Sequence, residues 1–425
     1  MKTYSKVLVL SIIITCLINI SCSSCSSDES GKDAFVDDGN GSKSMDSGGT
    51  GTDGDTDGDG DTDNDTDNDT DSDTDSDTDA DADGDWRPPE GCVRLYNYYN
   101  DPFNTGRSSW SKKYVTWINS SVSEASVMLY SLQDETTNKV YDFEPPGVQT
   151  TSIYNEEIYF RKLLSSPIDG GTNYSSEVYA MDISGHNLRQ ITNNNFTEYC
   201  FVLRQGILMC LYQRAGYPEE LRLLYIDDSN EITLTNKKEL SAGCLDGDGV
   251  KVLFCEENGA GGSRMMIYDE SDGGSPWTIS ETGSNDFWAA IDDGIVYYTH
   301  VNETRGDKDI WKYDLQTKDR SVLVGDAGEQ AMPDADGYVL SYELDDSQKI
   351  ILRDLETGVE RELTPPVPSK HYQMGVHGKY AGFMHVGDND ELNEWDQHVY
   401  ICDLEEGGFI DSDGHVIPED CDGGK

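Results

Sequence analysis

The chain has 425 residues, of which 82 are acidic and 31 are basic, so its formal net charge is -51 at pH 7. This charge argues against nucleic acid or anionic lipid headgroups as partners, because both are negatively charged themselves. Residues 1–85 carry 4 basic and 23 acidic side chains, a net charge of -19, which leaves -32 on the rest of the chain. No basic patch with interleaved aromatic residues offsets that charge.

The first 21 residues have the layout of a secretory signal peptide. Two lysines precede an apolar run at 7–20, which is too short to span a bilayer comfortably. The segment 18–22 resembles the lipobox of bacterial lipoproteins, in which a small residue, here Ser21, precedes the lipid-accepting cysteine. We therefore expect cleavage after residue 21 and a lipid on Cys22, with the membrane contacted through this anchor alone.

Several features of this segment leave alternatives open. Asn19 stands where the lipobox usually has Leu, and Cys16 and Cys25 are competing lipid acceptors. Secretion by cleavage near Ser21 without a lipid is the alternative outcome. By resemblance to Gram-negative sorting rules, Ser23 after the cysteine favours the outer membrane, so we expect an outer-membrane lipoprotein of the bacterial cell envelope.

Residues 22–85 contain almost nothing that could form a hydrophobic core. Asp occupies every odd position from Asp53 to Asp85, which is 17 residues. Like charges at this density repel each other, so we expect a disordered tether with a maximum length on the order of 200 Å. The tract superficially resembles an EF-hand loop, but such a loop needs a Glu at its twelfth position, and none occurs between Glu29 and Glu90. We expect weak, diffuse cation binding, no defined metal site and no cofactor.

One pattern recurs from Trp110 to Leu404: a polar turn, a short apolar strand, a polar loop and an aromatic-rich strand that ends near an Asp. Five of the turns carry a glycine, at intervals of 43, 45, 43 and 41 residues: Gly206, Gly249, Gly294, Gly337 and Gly378. The end of the second strand is marked in seven units: Ser131, Asp182, Asp227, Asp269, Asp314, Asp354 and Asp403. A mean period of about 45 residues indicates a repeat architecture.

A unit of that length with four short strands matches one blade of a β-propeller. The apolar residues run continuously, as at 295–298, which is typical of strands buried on both faces and not of an amphipathic helix. We therefore predict an all-β fold, with a seven-bladed propeller of four-stranded antiparallel blades at 86–410 and a C-terminal tail at 411–425. A six-bladed ring is the alternative, because Ser131 departs from the Asp marker.

Two segments make a family resemblance specific. Residues 177–192 and 349–364 look like the outer half of a TolB-like, WD40-like propeller repeat, with an Asp after the strand and a terminal Leu-Thr. The resemblance implies a propeller fold. The chain departs from the family in two respects. The family's Ser-Pro-Asp-Gly turn is present only as fragments such as 334–337, and the Asp tract occupies the place where TolB has a small α/β domain. TolB's own partners are therefore not carried over to this chain.

Enzymatic signatures are weak or missing. No Gly-x-Ser-x-Gly elbow occurs, which argues against the hydrolase that dipeptidyl-peptidase relatives join to a propeller. Four of the seven histidines fall in the last unit: His371, His377, His385 and His398. Metal-dependent propeller lyases use histidines near the blade tops, but alternate strand residues lie on opposite faces, so the spacing does not indicate that these four converge. We expect them to be solvated histidines of loops and strand ends.

Six cysteines in the body of an exported chain are disulfide candidates: Cys92, Cys200, Cys210, Cys244, Cys255 and Cys402. Cys200 and Cys210 flank a turn centred on Gln205, which would place them opposite each other across a hairpin. Cys244 and Cys255 flank the equivalent turn of the next unit. The register of that second pair is open, and a cross-blade disulfide between Cys200 and Cys244 is the alternative.

These features lead to a functional expectation. Because no acid, base or nucleophile converges, we expect no catalytic residue and a non-enzymatic, monomeric propeller that binds an envelope protein or another extracytoplasmic ligand. A carbohydrate-active propeller enzyme of the polysaccharide lyase type is the alternative.

Overall fold

The computed structural model describes residues 88–419, which belong to one compact unit, apart from short internal gaps. The gaps are at 99–109, 121–124, 144–147, 168–173, 195–196, 204–205, 214–218, 227–229, 236–239, 258–262, 282–283, 303–304, 326–327, 345–348, 365–369 and 388–395. Within the described residues there is no α-helix, and the chain forms 27 strands and one 3-10 helix at Glu270–Asp272. The predicted signal peptide, the predicted lipid acceptor Cys22 and the Asp tract lie outside the described residues.

The strands form seven antiparallel sheets, and each sheet is one blade. Blade 1 contains β2 (Tyr114–Ser120), β3 (Ala125–Ser131) and β4 (Thr136–Phe143). Blade 2 contains β5 (Val148–Tyr154), β6 (Glu157–Pro167), β7 (Tyr174–Asp182) and β8 (Arg189–Gln190). Blade 3 contains β9 (Thr197–Leu203), β10 (Ile207–Gln213), β11 (Glu220–Tyr225) and β12 (Glu231–Thr235). Blade 4 contains β13 (Leu240–Asp248), β14 (Lys251–Glu257), β15 (Ser263–Asp269) and β16 (Trp277–Thr278).

The remaining three blades complete the ring. Blade 5 contains β17 (Asp286–Asp292), β18 (Ile295–Val301), β19 (Lys308–Asp314) and β20 (Arg320–Val324). Blade 6 contains β21 (Gln330–Asp336), β22 (Val339–Leu344), β23 (Lys349–Asp354) and β24 (Glu360–Glu362). Blade 7 contains β25 (Lys370–His377), β26 (Tyr380–Gly387), β27 (Asp396–Asp403) and the N-terminal strand β1 (Cys92–Tyr98).

The N-terminal strand closes the ring. β1 pairs with β27 at the outer side of blade 7, and a disulfide between Cys92 and Cys402 joins these two strands. Three strands of blade 1 are described, and Trp110 pairs with Val115 in a single bridge beside them. Trp110 also packs with Ile401 of blade 7, so the last blade meets the first. The predicted seven-bladed propeller is confirmed, and the six-bladed alternative is wrong.

The periodic Asp residues close the turn between the third and fourth strands of a blade. Asp314 Oδ1 accepts two backbone N–H groups of the following turn, at 2.7 and 2.9 Å. Ser131 takes this role in blade 1, because its Oγ accepts the N–H of Asp134 at 3.1 Å. In blade 3 the equivalent strand end is Tyr225, and the predicted marker Asp227 lies outside the described residues. The repeat thus reflects a turn that a short oxygen-bearing side chain stabilises.

Two other repeated residues stabilise the propeller, one within a blade and one between blades. The Thr that follows the fourth strand hydrogen-bonds to the third strand of its own blade, as where Thr364 Oγ1 accepts the N–H of Ile350 at 2.9 Å. Inner-strand carboxylates reach the next blade, as where Asp292 Oδ2 accepts the N–H of Gly337 at 2.9 Å. Gly337 has a φ of 65°, a conformation that glycine adopts without steric cost. Gly294, Gly337 and Gly378 therefore each serve both their own hairpin and the contact with the preceding blade.

The residues after 410 pack against blade 6. Ile410 pairs with Val416 in an isolated bridge, and both are buried in the cluster between blades 6 and 7. Nδ1 of His415 and the N–H of Val416 each lie 3.0 Å from Asp354 Oδ2. The hydrogen bond with Asp354 raises the pKa of His415. This segment therefore continues the core that the propeller blades share.

Candidate functional site

A row of mostly ionisable residues crosses the blades at the end opposite the glycine turns. In each of blades 2 to 7 the row has one residue on each of the first three strands. These three residues are directly opposite one another across the strands, so they lie side by side. Its members are Val148, Lys162 and Glu177; Glu198, Tyr212 and Glu220; Leu240, Glu256 and Arg264; Asp286, His300 and Asp309; Gln330, Leu344 and Lys349; and His371, His385 and His398. We call this set the polar row. Because the blades repeat around the ring, the polar row lies at one level of the propeller.

Blade 5 holds a carboxylate–imidazole pair in the polar row. Asp286 on β17 is 0% exposed, and its Oδ1 lies 2.6 Å from Nδ1 of His300 on β18. Ser284 Oγ donates a 2.6 Å hydrogen bond to the other carboxylate oxygen. A carboxylate can only accept, so Nδ1 carries the proton and the lone pair of the neutral imidazole is on Nε2. Because the His300 side chain is 23% exposed, the ring can reach a ligand.

Aromatic and charged groups surround the His300 ring. The Trp311 ring centroid lies 4.7 Å from the imidazole centroid. Asp309, the third member of the row in blade 5, accepts hydrogen bonds from Arg305 at 2.5 and 2.7 Å. Lys308 forms a 2.8 Å ion pair with a glutamate of the next blade. Both cations are thus paired with carboxylates of the protein itself.

The inner strand of blade 5 is bulged beside this pair. The register of β17 shifts between Phe287 and Ala289, and the intervening Trp288 has a φ of 44°. The Lys308 ammonium lies 5.7 Å from the Trp288 ring centroid. Register shifts also interrupt the first strands of blades 2, 4, 6 and 7, so the bulge is a feature of the repeat and not of blade 5 alone.

Blades 2 and 3 enclose a second acidic cluster at this level, and it is closed to solvent. Glu198 and Glu177 are 0% and 1% exposed. Burial raises the pKa of Glu198 to about 7, although hydrogen bonds from Thr192 and Asn194 oppose the rise. Burial also raises the pKa of Glu177.

Thr192 joins these two carboxyl groups. Its Oγ1 lies 2.6 Å from Glu198 Oε2 and 2.8 Å from Glu177 Oε2, and it accepts the N–H of Val178. A hydroxyl has one proton, so the second of these hydrogen bonds requires a protonated carboxyl group. The neutral form of a carboxyl group is therefore favoured inside the interface between these two blades.

Blade 7 places three of the four predicted histidines in one row. His371 lies opposite His385, and His385 lies opposite His398. Sequence spacing did not indicate this alignment, because it depends on the pairing of three strands. The side chains of His371 and His398 lie outside the described part, whereas His385 is 6% exposed. His377 lies at the turn, with Nδ1 2.8 Å from Asp336 Oδ2.

The described cysteines form three disulfides. Cys200 is joined to Cys210 and Cys244 to Cys255, each across the first hairpin of its blade. The cross-blade alternative of Cys200 with Cys244 is not formed. The third disulfide is the ring closure of blade 7, whose partners the sequence left unassigned.

Among the described residues, no helix is both long and apolar enough to cross a membrane. No three described side chains of His, Cys, Asp and Glu are arranged to hold a metal ion.

The sequence matches no protein-family model and no curated protein. Among solved structures, an oligogalacturonate lyase in complex with manganese is similar over 75% of this chain and 98% of its own, with 12% identity and a TM-score of 0.51. A prolyl endopeptidase is similar over 70% of this chain and 46% of its own, with 11% identity and a TM-score of 0.49. TolB from Acinetobacter baumannii is similar over 72% and 81%, with 14% identity and a TM-score of 0.38. The chain spans about half the length of the peptidases that it matches, and these similarities show the fold alone.

These neighbours correct the functional expectation. We expected a non-enzymatic binding platform, whereas the same fold is that of an enzyme in the oligogalacturonate lyase, whose length it covers almost completely. That expectation is therefore wrong in inferring a non-enzymatic role from a propeller without a catalytic motif. Sequence reasoning also missed the pair of Asp286 and His300, because these residues are 14 positions apart on two strands and belong to no motif.

Proposed function

We propose that this protein is a carbohydrate-active propeller enzyme of the polysaccharide lyase type, with His300 as the base. The observation that carries the proposal is the pair in blade 5, where a fully buried carboxylate is hydrogen-bonded to a half-buried imidazole. A carboxylate in this position fixes the tautomer of the ring and stabilises the imidazolium that forms when Nε2 takes a proton. The pair can therefore work as a general base.

A lyase requires proton transfer and no nucleophile. Nε2 of His300 would take the proton on the carbon next to the carboxylate of an acidic sugar. The electron pair of that C–H bond forms a C=C bond, the bond to the glycosidic oxygen breaks, and the leaving oxygen receives a proton from the imidazolium or from water. The products are a sugar with an unsaturated end and a shortened chain.

The residues around His300 favour proton transfer over acyl transfer. Ser284 donates its hydrogen bond to Asp286 and not to the imidazole, so it is not placed as a nucleophile that His300 activates. All six described cysteines are in disulfides. Trp311, which packs against the core between blades 4 and 5, forms one wall beside the imidazole. The oligogalacturonate lyase, whose length the fold covers almost completely, supports the same class of substrate.

We place this enzyme at the cell envelope. The signal-like segment before Cys22 and the tract between Asp53 and Asp85 support an exported enzyme on a long acidic tether. Such a tether would let the propeller reach polysaccharide at a distance from the membrane.

Incubation with a panel of acidic polysaccharides tests the function. We expect the full-length protein to release products whose C=C bond, conjugated to a carboxylate, absorbs in the ultraviolet. Changing His300→Gln should lower kcat roughly 10²- to 10⁴-fold, as expected for loss of a general base. His186→Gln is the matched control, because His186 is exposed in a turn of blade 2 and should leave the rate unchanged. Absence of unsaturated products from every polysaccharide, or full activity in the His300→Gln variant, would refute the proposal.

A further inference from the structure

We propose that the disulfide between Cys92 and Cys402 is a redox-sensitive clamp, whose reduction releases β1 and opens the ring between blade 7 and blade 1. The other two disulfides stay oxidised under the conditions that open this one. The inference concerns closure of the ring and is measured on the cysteines themselves, so it stands or falls independently of the proposed lyase activity.

β1 has fewer supports than the strands inside a blade. It is the outermost strand of blade 7, and among the described strands it pairs with β27 alone. The pairing begins at Cys92, opposite Cys402, and its register shifts after Arg94. Val93 and Arg94 are exposed, whereas Leu95 packs against the cluster that joins blades 7 and 1. The disulfide therefore adds a covalent tie to a strand that backbone pairing holds along one edge.

The three disulfides differ in their exposure to solvent. Cys92 is only partly buried. The other half-cystines are buried, with exposed fractions of 5% for Cys200 and 0% for Cys210, Cys244, Cys255 and Cys402. A reductant must bring its own thiolate to one of the two sulfur atoms, so access governs which disulfide reacts first. Exposure thus singles out the disulfide of the ring closure.

The disulfides also close very different lengths of chain. Cys92 and Cys402 are 310 positions apart, whereas the partners of the other two disulfides are 10 and 11 positions apart. Each short disulfide joins the first two strands of one blade, which a tight turn already holds side by side. A disulfide restricts the unfolded chain more when it closes a longer loop. Loss of the bond between Cys92 and Cys402 should therefore lower the melting temperature more than loss of either short disulfide.

A dithiol reductant supplies the electrons for opening. One thiolate of the dithiol attacks Sγ of Cys92, the S–S bond breaks, and Sγ of Cys402 leaves as a thiolate that takes a proton from water. The second thiolate of the dithiol then attacks the mixed disulfide and releases Cys92, which is protonated in the same way. The protein gains two electrons and two protons, and the dithiol is oxidised to its own disulfide.

Release of β1 removes contacts at the junction of the last and first blades. The N–H of Asp403 donates a 2.9 Å hydrogen bond to the carbonyl oxygen of Gly91, beside the disulfide. Leu95 packs beside Trp110 and Ile401 in the cluster at that junction. Blades 2 to 6 keep both of their neighbours, and each blade is stabilised mainly by its neighbours. Opening is therefore confined to blades 7 and 1.

Stepwise reduction of the full-length protein tests the clamp. Free thiols are first blocked with N-ethylmaleimide, the protein is incubated with increasing dithiothreitol, and the new thiols are alkylated and assigned by peptide mass spectrometry. We expect Cys92 and Cys402 to be alkylated while the other four cysteines of the described disulfides remain oxidised. Amide hydrogen exchange of β1 should rise at the same dithiothreitol concentration, whereas β10 and β14 stay protected.

Two double variants complete the experiment. Cys92→Ser, Cys402→Ser should show fast exchange of β1 without reductant and no further rise when dithiothreitol is added. Cys244→Ser, Cys255→Ser is the matched control, because it removes a buried disulfide and should keep β1 protected until reductant is added. If a variant does not fold, as its melting curve shows, the order of alkylation in the unchanged protein decides. Earlier alkylation of a buried pair, or a β1 that stays protected once Cys92 and Cys402 are reduced, would overturn the inference.

Discussion

Blades 3 and 5 place an acidic residue at the same point of the repeat and give it different chemistry. Glu198 lies opposite Tyr212 in blade 3, and Asp286 lies opposite His300 in blade 5. Both carboxyl groups are completely buried. The hydrogen-bond partners of the two carboxyl groups differ, since Glu198 contacts Thr192 and Asn194 whereas Asp286 contacts His300.

Tyr212 supplies neither a base nor a cation at neutral pH, because burial raises the pKa of its phenol. Burial favours the neutral form of Glu198 and raises its pKa to about 7. In blade 5 the imidazole of His300 donates a hydrogen bond to Asp286, which leaves Nε2 as the acceptor of the ring. The same position of the repeat thus holds a buried, hydrogen-bonded carboxyl group in blade 3 and the carboxylate that orients a candidate base, His300, in blade 5.

The largest expected effect separates the two carboxyl groups by activity. Asp286→Asn should lower kcat/KM on an acidic polysaccharide roughly 10²- to 10⁴-fold, because an amide N–H directed at Nδ1 would stabilise the wrong tautomer of His300. Glu198→Gln should leave the rate within about 2-fold, because an amide resembles a protonated carboxyl group in shape and hydrogen bonding. Steady-state kinetics of the two variants provide the measurement. Equal losses of activity would show that the two blades do not differ as described.

The pH dependence of stability sharpens the same contrast. The folded-state pKa of Glu198 is raised from 4.5 to about 7, so its contribution is fully present below pH 4.5 and is lost as the pH rises through 7. The titration of Glu198 alone should lower the free energy of unfolding by on the order of 3 kcal/mol between pH 4.5 and 8. In Glu198→Gln this loss should be absent, because the amide does not titrate. Urea unfolding at both pH values measures the difference, and parallel pH profiles of the two proteins would contradict it.

A smaller effect is expected from the hydroxyl that joins the acidic cluster. Thr192→Val removes an acceptor from Val178 N–H and a donor between two buried carboxyl groups, so the free energy of unfolding should fall by about 2–3 kcal/mol. Thr364→Val is the matched control, because Thr364 makes the equivalent contact with Ile350 away from the acidic cluster. It should cost about 1 kcal/mol. Equal losses in urea unfolding would mean that the carboxyl groups do not depend on Thr192.

The repeat and the number of blades were readable from the sequence because their causes are local. Asp314 and its equivalents accept N–H groups only two or three residues away, so the turn leaves a regular mark along the chain. Ser131 looked like an exception, and it is chemically equivalent, since a hydroxyl oxygen accepts the same kind of N–H. Gly337 and the other turn glycines are visible for the same reason, because a positive φ restricts the residue type at one position.

What the tertiary structure decided is which distant residues meet. Cys92 and Cys402 are 310 positions apart and pair only because the first strand completes the last blade. The contacts of His300 with Asp286, and of Thr192 with both Glu177 and Glu198, depend on strand register and on the packing of adjacent blades. Loops of unequal length separate the strands, so sequence spacing does not reveal that register. The chain alone therefore determined the propeller and its local turns, whereas the charge pairs of the polar row were set by strand pairing and by closure of the ring.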